Sequence, residues 1–148
     1  MRHARAVMIG ATLAVALGGG SAAAQARVYA ARLSVVPLTV AMQETVAGEG
    51  SATAVLAGNR LTIEGKFEGL RSPATSARLH VAPRATRGEA IGELTVSKAT
   101  SGTLKGSIEL TARQREALER LSLYIQVNSE KAPEGNLWGW LFPQEVKQ

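Results

Sequence analysis

Cysteine is absent from all 148 residues, and so is aspartate. The first absence rules out disulfides and thiolate metal sites. The second leaves glutamate as the sole carboxylate side chain. Histidine occurs twice, as His3 and His80, and aromatic side chains make up 4% of the chain. A core built from so few rings must be aliphatic. Long apolar runs are also missing, apart from Ala6 to Leu17 near the start. That run falls short of the about 20 residues that a membrane-spanning helix needs.

The run has a distinctive setting. Arg2, His3 and Arg5 precede it, Gly18 to Gly20 break it, and Ser21 to Ala26 are nearly all small. Charged, apolar and small segments in that order form a secretory signal peptide. Ala24-Gln25-Ala26 has the small-x-small form that signal peptidase accepts, so residues 1–26 are expected to be removed, with a cut after Ala24 as the alternative. No cysteine follows to carry a lipid anchor. The expected location is periplasmic or secreted, with no membrane span after cleavage.

Removing 26 of the 148 residues leaves 122, the size of one domain with one core. It also removes two of the 17 Lys and Arg and none of the 12 acids, so the net charge falls from +5 to +3. That balance suits solubility and is too weak to argue for nucleic-acid binding.

The mature segment reads as short alternating strands punctuated by Gly, Pro and Asn. Val28 to Val36 is a first strand, stopped by Pro37. Gly58-Asn59 sits between alternating runs at Gly50 to Leu56 and Leu61 to Phe67, which is a hairpin signal. Further strands are Ala77 to Val81, Ile91 to Val96, Thr103 to Leu110, Leu123 to Asn128 and Leu137 to Phe142. Leu38 to Gly48 has no period and reads as a connection, and Ala132-Pro133-Glu134-Gly135 reads as a turn. One helix is expected over Ala112 to Leu121, capped by Thr111. About eight short strands at fairly regular spacing and one short helix argue for a Greek-key sandwich or a barrel, and the expected fold is all-β, an antiparallel Greek-key β-sandwich.

Catalytic chemistry has little material. A Ser-His-acid triad would have to use His80, and the serines lie in no nucleophile-elbow context. Glu64 with Glu68, and Glu89 with Glu93, share strand parity, as solvated strand faces commonly do. Binding has more. Trp138 and Trp140 share one face of the last strand, and indoles are favoured at recognition hot spots. The same face could equally be covered by the chain itself. Arg71, Arg78, Arg84 and Arg87 fall in a stretch without acids, suited to a carboxylate or phosphate partner or to plain solvation.

Four places in the chain resemble a known family. They are Ala30-Ala31-Arg32-Leu33, Leu61 to Leu70 with Ser72-Pro73-Ala74-Thr75, Ser76-Ala77-Arg78-Leu79-His80, and the ending from Leu123-Tyr124-Ile125-Gln126-Val127-Asn128-Ser129 through Trp138-Gly139-Trp140-Leu141. Together they resemble the CHRD domain, first named from chordin and widespread in exported bacterial proteins. The family pattern carries two alternate His on one strand and a third on a late strand, a set that could converge on a metal. Here those positions are Arg78, His80 and Asn128. The expectation is therefore no metal and no cofactor. The turn and following strand also resemble copper–zinc superoxide dismutase, but a lone mature His and no Asp cannot supply that chemistry.

The resemblance implies extracellular protein binding. The expected protein is an exported binding or accessory module without catalysis, recognising an exported protein or envelope component. Its binding residues are expected to be Arg78, His80, Gln126, Asn128, Trp138 and Trp140. Two other readings are a small-ligand carrier or accessory subunit of a periplasmic redox enzyme, and a degenerate superoxide-dismutase-like metal domain.

Overall fold

A computed structural model describes residues 25–145. The expected leader, residues 1–26, lies outside them but for its last two residues. Nine strands and one α-helix follow in order, with a 3-10 turn at Val40–Met42 between the first two strands: β1 Arg27–Val35, β2 Glu49–Ala57, β3 Arg60–Glu68, β4 Ala74–Val81, β5 Glu89–Val96, β6 Gly102–Glu109, α1 Ala112–Glu119, β7 Leu123–Ser129, β8 Ala132–Trp140 and β9 Phe142–Pro143. Among the described residues no helix is long and apolar enough to cross a membrane.

Local chemistry sets several of these elements. Gly58 takes a positive φ of 60°, and with Asn59 it closes the two-residue hairpin whose last pair is Ala57 opposite Arg60. Thr111 caps α1 with a reciprocal box. Its Oγ1 accepts from Gln114 N at 3.2 Å, and its own N–H donates to Gln114 Oε1 at 3.0 Å. Alternate residues then point inward, among them Leu33, Ala54, Ile63, Leu79, Leu104, Ile125 and Leu137, with Leu118 of α1 joining them.

The strands close into a barrel and do not stack as the expected sandwich. The order is β2-β3-β6-β5-β4-β7-β8-β1, and β1 pairs back with β2. All pairings are antiparallel. The reason lies in β1. Its residues Arg27 to Leu33 pair with β2, while Ser34 and Val35 pair with Trp138 and Leu137 of β8, so both its edges are used. Among the described residues the eight strands thus form a closed circuit, and the two-residue β9 alone lies at an edge. Eight strands enclose a lumen just wide enough for side chains to fill, and here aliphatic side chains fill it.

A second correction concerns the late turn. The β7–β8 hairpin turns at Glu130-Lys131, between paired Ser129 and Ala132. The next pair is Val127 with Leu137, so residues 133–136 bulge out of β8. Pro133, Glu134 and Gly135 do break the ladder, as their composition suggests, but inside a strand.

Candidate recognition face

The outer faces of β4, β7 and β8 present three cross-strand rows. His80 lies opposite Tyr124, which lies opposite Trp140. Arg78 lies opposite Gln126, which lies opposite Trp138. Ser76 lies opposite Asn128. All six residues expected from the sequence thus meet on one face, because they share a parity on neighbouring antiparallel strands. Tyr124 and Ser76 belong there too. Tyr124 could have been found from its parity with Gln126 and Asn128.

The first two rows carry an aromatic stack. The His80 and Tyr124 rings stack at 4.9 Å, and Tyr124 and Trp140 at 4.5 Å. Trp138 meets Trp140 edge-on at 4.8 Å. Both indoles are only 8% exposed. Their cover is the chain itself. Val36, Met42 and Val46 of the β1–β2 connection pack on them, as do Ala82 and Phe142. Trp140 Nε1 donates to Ala82 O at 3.0 Å. Arg87 lies over the Trp138 ring at 5.9 Å and donates to Glu134 O. The helix α1 is not part of that cover and packs into the barrel core through Ala117 and Leu118.

The polar members are braced. His80 Nδ1 lies 2.9 Å from Gly88 O, which assigns the proton to Nδ1. Tyr124 Oη accepts from Gly88 N at 3.0 Å. Buried Gln126 donates through Nε2 to Asn128 Oδ1 at 2.9 Å and to Glu134 O at 3.3 Å. Asn128 Nδ2 donates to Ser76 Oγ at 3.2 Å. Arg78 Nε lies 3.4 Å from Glu93 Oε1, an exposed pair that contributes at most about 1 kcal/mol.

Arg78, His80 and Asn128 do share a face, as a convergent metal set would require, but their chemistry does not fit one. Arg78 is a fixed cation, Asn128 Oδ1 already accepts from Gln126, and one imidazole remains. Among the described residues no group of three or more His or Glu side chains is placed to hold a metal ion.

The CHRD domain family model matches residues 29–141. The chain belongs to the CHRD domain family. The match runs from the third residue of β1 to the residue after β8, so it takes in the barrel wall but for Arg27 and Val28, and all three rows. No curated protein and no solved structure matches this CHRD domain.

The cover over the indoles is pinned by one buried amide. Asn136 Oδ1 accepts from Ser129 Oγ at 2.8 Å, and its Nδ2 donates to Ala47 O at 2.8 Å in the β1–β2 connection. Asn136→Ala leaves both partners unsatisfied and is expected to cost this CHRD domain about 1–3 kcal/mol. Urea unfolding measures the loss, and limited proteolysis should show faster cleavage between Val36 and Gly48. Unchanged stability with unchanged cleavage would mean the amide pins nothing.

Proposed function

We propose that this CHRD domain is an exported recognition module without catalysis of its own, acting in the periplasm or outside the cell. Its partner, an exported protein or other envelope component, docks on the half-buried rim of the three rows, at Arg78, His80 and Asn128. The observation that carries this reading is the state of His80, the one imidazole among the described residues. It is stacked on Tyr124, and its hydrogen-bond partner is a main-chain carbonyl, not a carboxylate or hydroxyl. Among the described residues no serine hydroxyl or glutamate carboxylate is hydrogen-bonded to its ring, as a nucleophile–base–acid set would require. The filled lumen argues against a carrier that encloses its ligand. What the face offers is a rigid aromatic base under a rim of half-buried Arg78, His80 and Asn128, an arrangement suited to surface recognition.

Site-specific photo-crosslinking in the producing cell tests the reading. A photoreactive residue in place of exposed Glu134, beside the three rows, should give an adduct of discrete mass. The same residue in place of exposed Thr62, on the β3 wall, should give none. Adducts from neither position, or the same adducts from both, would defeat the proposal.

A further inference from the structure

Strands β4 and β5 pair from Val81 opposite Glu89 to Ala77 opposite Leu94. There they part. β4 continues with β7 through Ser76 and Ala74, while β5 continues with β6 through Thr95 and Val96. The gap is closed below by a main-chain bond from Ala74 N to Ala99 O at 2.9 Å. The result is a cleft of about 210 Å³ in the barrel wall. It is smaller than the about 300 Å³ at which drug-sized ligand pockets begin, so it suits a single chemical group.

Its lining has a definite polarity. Ser76 and Arg78 come from β4, Glu93 and Thr95 from β5, and Lys98 from the turn after β5. Two cations face one carboxylate. Among the described residues Lys98 is in no ion pair, and Arg78 has a single contact through Nε, leaving its Nη donors uncommitted. Glu93 holds it loosely, with a side chain 80% exposed. The hydroxyl is oriented as well. Gln126 donates to Asn128, and Asn128 donates to Ser76 Oγ. Ser76 therefore accepts from behind and keeps its own O–H to give. A chain of donors running one way ends at the cleft wall.

We propose that this cleft binds one anionic group, a carboxylate or a tetrahedral oxyanion such as phosphate. Arg78 and Lys98 supply the charge, and Ser76 and Thr95 supply further donors. Guanidinium forks match these oxygen pairs in geometry as well as charge. The inference rests on the recognition reading for the face concerned, and it names the chemistry that Arg78 would meet there.

The test is titration of the intact domain at low ionic strength, followed by amide chemical shifts of Ser76, Thr95 and Lys98. One arm uses inorganic phosphate and the other a hexaglutamate peptide. Saturable shifts are expected in at least one arm. A response to phosphate alone identifies an oxyanion ligand, and a response to the peptide identifies partner carboxylates. Arg78→Gln should weaken binding by about tenfold or more, the scale of one lost charge-assisted bond. Glu93→Gln, which frees the guanidinium, should tighten it. Lys66→Gln on β3, two strands from β5 and outside the cleft lining, should change nothing, and unchanged melting transitions confirm that each variant is folded. No saturable shift in either arm, or equal weakening by Arg78→Gln and Lys66→Gln, overturns the anion site. Adducts at position 134 in that event would leave the recognition reading standing; anion binding without adducts would do the reverse.

Discussion

The Trp138→Ala, Trp140→Ala double variant is expected to lose most of its folding stability. Truncating a buried Trp costs about 3–5 kcal/mol. Trp140 additionally leaves Ala82 O without its donor, which adds about 1–3 kcal/mol. The two rings touch each other and both touch Tyr124, so the losses will fall somewhat short of their sum. Even so, they approach the about 5–15 kcal/mol that holds a typical domain together. Urea unfolding of the single and double variants measures this directly. A double variant within about 2 kcal/mol of the parent would be too little for buried Trp, and would place the rings in solvent with the β1–β2 connection lifted. A binding defect in the folded fraction could not, by itself, be read as a lost contact, because these side chains support the surface from beneath.

Gly139→Val should be comparably severe, for a different reason. A Cβ at Gly139 would lie 2.3 Å from Arg32 O and 2.9 Å from Arg32 C. Those are main-chain atoms of β1, so no side chain can swing away. Strand β1 would have to withdraw from β8, where Ser34 and Val35 complete the wall. Overpacking typically costs about 1–3 kcal/mol and more when backbone must move. The expected outcome is a loss of about 3 kcal/mol or greater, read as a shifted urea midpoint with reduced β signal in circular dichroism. A well-folded, equally stable Gly139→Val protein would show that β1 and β8 do not meet, and the closed barrel would be wrong there.

Much of this architecture could be read from local chemistry. Gly58-Asn59 marks its hairpin because a positive φ is cheap there, and Thr111 marks its helix because its hydroxyl satisfies an open N–H. The six candidate residues meet on one face because parity survives any antiparallel register that keeps the apolar side inward. What local pattern does not hold is which strand lies beside which. A period of two is the same in a sandwich and in a barrel, so closure through β1 left no mark. The segment from Leu38 to Gly48 has no period, and its role as a cover depends on Val36, Met42, Val46 and Ala47 meeting residues far along the chain. Pro133 and Gly135 signalled a break in the ladder correctly but could not say whether it was a hairpin tip or a bulge. The wall cleft is more hidden still, since it exists only because β4 and β5 leave each other for different neighbours.

The pairing of β1 also sets a timetable. Tyr29 faces Pro143 and Ala30 faces Phe142, and Gln144 N donates to Val28 O at 2.8 Å. The first strand to emerge during synthesis must wait for the last one before its second edge is satisfied. Contacts so distant along the chain carry the loop-closure cost that slows folding. A chain made amino end first can therefore zip β1, β2, β3 and β6 early, yet it seals its wall only when β8 and β9 arrive.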